Sequence, residues 1–82
     1  MMIYVSDSPM WCNIRYLRRR KRLSLKKLAE RTGIPCWTLL GIEARLLRDI
    51  DYDDLESLCE VLHVTQEALI EGDLPSNAIP GV

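Results

Sequence analysis

Residues 17 to 43, LRRRKRLSLKKLAERTGIPCWTLLGIE, contain the pattern that decides the fold. Two short helical segments flank the tetrapeptide TGIP. Gly33 accepts the left-handed backbone conformation of a tight turn, and Ala29 is small enough to let the second segment cross the first closely. Leu39 and Ile42 close the corner between them. The stretch therefore predicts a helix-turn-helix.

Helix signals on both sides of this stretch bring the expected number of helices to five. Four of the five predicted starts carry a capping residue, and Pro35 precedes the third helix. The helices are expected at residues 9 to 22, 25 to 31, 36 to 45, 52 to 62 and 66 to 71, with Ser8, Ser24, Asp51 and Thr65 as caps and Gly33 and Gly72 as stops. No segment alternates long enough to predict a sheet. We expect MIYV, residues 2 to 5, to be a frayed terminus; the alternative is an edge strand that pairs with another copy.

The composition is that of one small globular domain. The chain has 82 residues, of which 48% are hydrophobic and 28% charged, and a chain of this length supports a single core. We divide it into an N-terminal extension (1 to 8), a helix-turn-helix domain (9 to 72) and an irregular C-terminal tail (73 to 82). The predicted fold class is all-α.

The sequence does not indicate a membrane protein, a metal-binding protein or a disulfide-bonded protein. No apolar run reaches the length of a membrane helix and the first residues lack signal-peptide features, so we expect a cytoplasmic protein without membrane association. Cys12, Cys36 and Cys59 fit neither a zinc pattern nor an even-numbered disulfide framework, and free thiols are expected.

Charge is divided sharply along the chain. Residues 1 to 48 hold all eleven bases and three acids, giving +8, whereas residues 49 to 82 hold nine acids and no base, giving −9. A cationic half is typical of a protein that presents one face to a polyanion. The overall pI of 5.7 is nevertheless low for a nucleic-acid binder. Contact between the basic half of one copy and the acidic half of another is the alternative interpretation.

The stretch resembles the Cro and phage-repressor type of helix-turn-helix, the XRE family, and YDDLESLCEVLHVTQEALIEGD resembles the fourth and fifth helices of that family. The resemblance runs from about residue 14 to 72. It implies a compact five-helix, phage-repressor-like domain. The matching framework positions are Leu17, Arg18, Leu23, Ser24, Leu28, Ala29, Gly33, Ile34, Thr38, Leu39, Ile42 and Glu43, followed by Leu55, Leu58, Leu62, Val64, Ala68 and Leu69.

A structural ion pair is expected between Arg18 and Glu43. Arg18 lies on the apolar stripe of the first helix, where an unpaired charge is costly, and Glu43 is the only acid of the third helix. The family resemblance implies the same pair.

The resemblance also implies which residues meet double-stranded DNA. The third helix enters the major groove, and the start of the second helix and the loop after the third hold phosphates. The family contains a Gln where Leu25 stands, and hydrogen-bonding residues at three of the base-facing positions. The implied contacts are Cys36, Trp37 and Gly41 at bases, Leu40 beside them, Thr38 near the backbone, and the amide of Leu25 with Lys26, Arg45 and Arg48 at phosphates.

Three hypotheses account for the apolar character of this third helix. Its side chains contact thymine methyl groups, with salt-dependent affinity supplied by the basic residues. Alternatively, Trp37 and Leu40 dock a protein partner. In the third hypothesis the helix is rotated or extended, because EARLLRD has no glycine stop, and buries Trp37, Leu46 or Leu47 in the monomer.

Other motifs predict no further chemistry. Asp49, Asp51, Asp53 and Glu60 have calcium-loop spacing but lack its glycine, and the helical stripe at residues 55 to 62 opposes a loop. His63 stands where a helix-ending residue is expected. No catalytic set or phosphate-binding glycine loop is present, so neither enzyme activity nor a cofactor or metal is predicted. A redox role of Cys36 has no resolving partner in the sequence. The predicted function is a repressor-like DNA-binding regulator that acts as a homodimer; the alternative is a protein-interaction module or antitoxin-like partner.

Overall fold

The computed structural model describes residues 1–72, and the predicted tail at 73 to 82 lies outside that range. Five helices form the body of the domain, as the sequence predicts, and two short strands are added to them. In chain order the elements are β1 (Met2–Tyr4), α1 (Met10–Arg20), α2 (Leu25–Thr32), α3 (Cys36–Glu43), β2 (Asp49–Asp51), α4 (Tyr52–Leu62) and α5 (Gln66–Glu71).

The predicted caps hold the starts of the helices. The Ser24 hydroxyl accepts a hydrogen bond from the Lys27 amide at 3.0 Å, and Thr65 accepts one from the Ala68 amide at 3.0 Å. Asp51 accepts from the Asp53 amide at 3.2 Å. Each bond satisfies one of the amides that the first turn of a helix leaves without an internal partner. At the start of α1, the Ser8 hydroxyl accepts from the Met10 amide at 3.0 Å.

Three helices end at left-handed residues other than glycine. Arg22, Arg45 and His63 have φ angles of 57°, 62° and 56° and follow α1, α3 and α4. After α3, the Leu46 amide donates to the Gly41 carbonyl at 2.8 Å and the Arg45 amide donates to Ile42 at 3.1 Å. This pair of bonds is the Schellman pattern that stops a helix. Hence α3 ends at Glu43 instead of about Arg45, and the predicted extension of the helix is wrong. The capping position predicted for His63 is confirmed.

The expected frayed terminus is also wrong, because residues 2 to 4 form a strand. β1 pairs antiparallel with β2 of the same chain, with Ile3 opposite Ile50. Ile50 is buried and Ile3 packs against the core. Each strand has only three residues, so apolar and polar residues alternate over too short a stretch to predict it. The pairing holds the N-terminus beside β2, which directly precedes α4. The predicted alternative, an edge strand, is correct in type, but its observed partner is β2 of the same chain and not a second copy.

The core lies where the five helices meet. It contains the framework leucines and isoleucines expected from the sequence, and it also receives Val5 from the predicted N-terminal extension. The buried hydrophobic residues are Val5, Met10, Ile14, Leu23, Leu28, Ile34, Leu39, Ile42, Ile50, Leu55, Leu58, Leu62 and Leu69. None of the helices within residues 1–72 is long and apolar enough to cross a membrane.

Asn13 joins α1 to the end of the domain. Its side chain is fully buried, and its amide donates to the carbonyls of Leu69 and Gly72, each at 2.8 Å. The Ser8 hydroxyl donates to the Ile70 carbonyl beside it. Because a buried amide is costly without partners, these bonds fix how α5 packs on α1.

Candidate nucleic-acid interface

Helix α3 presents its outer side to solvent. It packs against α1 and α2 through Leu39 and Ile42, which are buried. On the opposite side the side chains of Trp37 and Leu40 are 72% and 54% exposed. Cys36 is exposed beside them and Thr38 is half-buried. The outer side of α3 is therefore an apolar surface at the start of the helix, which we call the α3 face: Cys36, Trp37 and Leu40.

Leu47 covers α3 at Gly41. Gly41 is buried, and a Cβ atom added to it would lie 3.0 Å from Cγ of Leu47. Gly41 lies one helical turn after Trp37, and Leu47 covers it there. Its predicted contact with bases stays a prediction. The hypothesis of an internally buried surface is wrong for Trp37 and for Leu46, which is 77% exposed. It holds only for Leu47, which packs against the core.

α2 packs against α3 across the Gly33 turn. Gly33 has the expected left-handed conformation, with φ of 81°. Lys26 is exposed, whereas the Leu25 side chain is half-buried against the core. Leu25 thus offers its backbone amide, since the first amides of a helix have no partner within it. This is a geometry suited to an anion such as a phosphate.

The loop after α3 carries Arg45 and Arg48, and both are exposed. The Arg45 guanidinium lies over the Trp11 ring, 5.2 Å from its centroid. The Arg48 carbonyl accepts a hydrogen bond from the Val5 amide at 2.8 Å. The sequence does not predict these contacts, because no local pattern links residues 5 and 11 to a loop more than 30 positions away.

Arg18 and Glu43 form a pair behind the α3 face. Arg18 Nε and Nη2 donate to the two carboxylate oxygens of Glu43 at 2.8 and 3.0 Å. Arg18 Nη1 also donates to the Leu23 carbonyl at 2.9 Å. The hydrogen bond to Glu43 raises the pKa of Arg18. The pair joins the end of α1 to the end of α3, and it faces the protein rather than solvent.

The basic residues predicted to contact phosphates carry unpaired charges. The ion pairs formed within residues 1–72 leave Lys26, Arg45 and Arg48 without an acidic partner. Two acids of α4, Asp53 and Asp54, lie in its first turn. Burial raises the pKa of Asp54, and the neighbouring Asp51 and Asp53 raise it further. The α3 face is therefore flanked by uncompensated cations, as a surface for a polyanion requires.

Comparisons with known proteins agree with this arrangement. A family model described as the Cro/C1-type HTH DNA-binding domain matches residues 13–71. No curated protein sequence matches the chain significantly.

Solved structures of similar shape include several of SinR. The N-terminal DNA-binding domain of SinR from Bacillus subtilis is 31% identical, with 74% of this chain and 88% of that chain covered and a TM-score of 0.72. SinR in complex with DNA, described as the master regulator for biofilm formation, is 32% identical, with 73% and 95% covered and a TM-score of 0.70. The SinR protein/SinI protein complex is 28% identical, with 82% and 65% covered and a TM-score of 0.74.

The family model spans most of the chain, and its matched residues contain the turn at Gly33, the exposed α3 face and the basic residues beside it. The chain belongs to the Cro/C1-type helix-turn-helix DNA-binding domains.

Proposed function

We propose that this protein is a repressor-like transcription regulator that binds double-stranded DNA as a homodimer, with α3 in the major groove. The observation that carries the proposal is the exposed α3 face between unpaired cations on both sides. Lys26 and the Leu25 amide approach phosphates from α2, and Arg45 and Arg48 approach them from the loop after α3. The protein acts by occupying its site in the cytoplasm, without enzymatic activity.

The contacts that the α3 face offers to bases are mainly apolar. The α3 face has no Arg, Gln or Asn, so it lacks the paired donors that discriminate between bases by about 1 to 3 kcal/mol each. The thymine methyl group is the apolar feature of the major groove, and Trp37 and Leu40 are the exposed side chains that fit it. We therefore expect a thymine-rich half-site and modest selectivity.

We expect a homodimer because a single module of this size contacts only a short stretch of DNA. One small module buries limited area on DNA, and two modules bound to half-sites about one helical turn apart gain both affinity and a defined spacing. SinR, which shares about a third of its residues over the matched region, has been solved in complex with DNA.

The decisive experiment combines selection from a randomised duplex library with thymine replacement. We expect enrichment of a palindromic motif, and a loss of roughly tenfold in affinity when the contacted thymines are replaced by uracil, which removes only the methyl groups. Trp37→Ala should blur the motif, whereas Lys26→Gln should weaken all sequences alike and reduce the salt dependence.

Tyr4→Ala is the matched control. Tyr4 is 66% exposed, similar to Trp37, but lies on β1. Its removal should leave the selected motif unchanged. If uracil replacement has no effect and Trp37→Ala changes nothing, the methyl-reading mechanism is wrong.

The second candidate function is protein binding through the same surface. Its supporting observation is the exposure of Trp37 beside Leu40, since a large exposed aromatic next to an aliphatic side chain is typical of an interface anchor. SinR has also been solved as a complex with SinI. Two results together would favour this function: the library yields no motif, and DNA binding is weak, is lost as salt is raised, and is unaffected by Trp37→Ala.

A further inference from the structure

The N-terminal residues hold the loop that follows α3. Residues 1 to 12 precede the matched family region, which begins at residue 13. They nevertheless contact the loop at three levels: β1 pairs with β2 at the loop's end, the Val5 amide donates to the Arg48 carbonyl at 2.8 Å, and the Trp11 ring lies under Arg45. We call residues 2 to 11 the N-terminal brace.

Val5 and Trp11 connect this brace to the rest of the domain. Val5 is 8% exposed and belongs to the core. Residues of the brace and of the loop line one small cavity of about 30 Å³, among them Val5 and Trp11 from the brace and Arg45 and Leu47 from the loop. The loop therefore lies against the brace over several residues, and its backbone is fixed by β2 and by the hydrogen bond at Arg48.

Arg45 is constrained twice. Its backbone is left-handed, with φ of 62°, and its amide donates to the Ile42 carbonyl at 3.1 Å, so the direction in which its side chain leaves the loop is set. Its guanidinium then lies 5.2 Å from the centroid of the Trp11 ring. A cation over an aromatic face is attracted to it, and a long side chain held in place loses less conformational freedom when it binds.

We infer that the N-terminal brace preorganises the phosphate contacts, with Trp11 as a positioning residue for Arg45. This inference rests on the proposed function, because it assumes that the loop after α3 meets DNA phosphates. In this role Trp11 acts through Arg45 and not through a contact of its own with DNA. It holds the guanidinium at the position where the phosphate arrives, and β1 and Val5 hold the loop backbone that carries it.

The test is a double-mutant cycle between Trp11 and Arg45, measured as affinity for the selected duplex at several salt concentrations. Trp11→Leu should weaken binding by about two- to fivefold, the range expected for an exposed cation–π contact. Trp11→Phe, which keeps an aromatic face, should restore most of the loss. In the Arg45→Gln background, Trp11→Leu should have no further effect, because the side chain that it positions is gone.

Thermal unfolding of each variant separates positioning from folding. Trp11→Met provides a second ring-free variant if Trp11→Leu fails to fold. Equal weakening by Trp11→Leu in the wild-type and Arg45→Gln backgrounds would overturn the inference, as would binding that Trp11→Leu leaves unchanged when Arg45→Gln weakens it. Absence of any salt-dependent binding by the wild-type protein would overturn the proposed function together with the inference, and is a different result.

Discussion

At the scale of single residues, the pair of Arg18 and Glu43 shows how a charged contact can be structural in a DNA-binding domain. The side chains are only 13% and 7% exposed, and Arg18 also satisfies the Leu23 carbonyl. Partial burial makes each charge dependent on the other, because a lone charge there would have lost water without gaining a partner. The pair therefore fixes the position of α3 relative to α1.

Arg18→Met should lower the free energy of unfolding by about 3 kcal/mol, since it leaves the Glu43 carboxylate without its two hydrogen bonds. The measurement is chemical denaturation followed by circular dichroism. Arg15→Met is the control: Arg15 lies 3.9 Å from Glu43 but is 47% exposed, and its loss should cost under about 1 kcal/mol. Similar losses in the two variants would contradict a special role for Arg18.

At the scale of elements, the ends of the helices depend on backbone conformations that their residues do not favour. α1, α3 and α4 are followed by Arg22, Arg45 and His63 in the left-handed region, where glycine is the usual residue. After α4 the Val64 amide donates to the Cys59 carbonyl at 3.1 Å, which closes the helix in the same way as after α3. Each side chain with a Cβ atom adds steric cost at such a position.

His63→Gly should raise the free energy of unfolding by about 1 kcal/mol, because the left-handed conformation is open to glycine. For a domain of this size the melting temperature would rise by about 4 to 8 °C. Glu60→Gly is the matched control, since Glu60 is exposed within α4; glycine there should cost about 1 kcal/mol. A lower melting temperature for His63→Gly would show that the His63 side chain contributes more than its backbone costs.

At the scale of the whole molecule, packing places the acidic helix α5 and the basic residues beside the α3 face on different elements. α3 packs on α1 and α2, whereas α5 packs on α1 and α4. The exposed acids Glu67 and Glu71 therefore lie on a different element from the α3 face and its cations. Because the screening length at physiological salt is about 8 Å, charges on one surface should affect the other only weakly.

Glu67→Gln combined with Glu71→Gln should change DNA affinity by less than about twofold at 0.15 M salt, since screening hides distant charges. Arg45→Gln combined with Arg48→Gln alters the net charge by the same amount in the opposite direction, and it should weaken binding by about tenfold or more. Both pairs are compared in one salt titration. Comparable effects from the two pairs would mean that total charge, and not its placement, governs binding.

The sequence alone determined the helices, their caps, most of the core and the helix-turn-helix. These features depend on neighbours within a few positions: an oxygen at the cap, leucines at helical spacing, Gly33 at the turn. The predicted DNA contacts, including the cations around the α3 face, came from the resemblance to a family and not from local signals.

Only the tertiary structure decided the β1 pairing, the end of α3, the burial of Gly41 and the contact of Trp11 with Arg45. Each joins positions whose partners are chosen by packing. A strand of three residues is too short to signal itself, and it forms here because β2 and the core lie beside it. The stop at Arg45 requires a strained backbone that no propensity predicts, and it is held by bonds to Gly41 and Ile42. Interactions between residues close in sequence thus determined the helices, and packing between distant residues determined which side chains these helices expose.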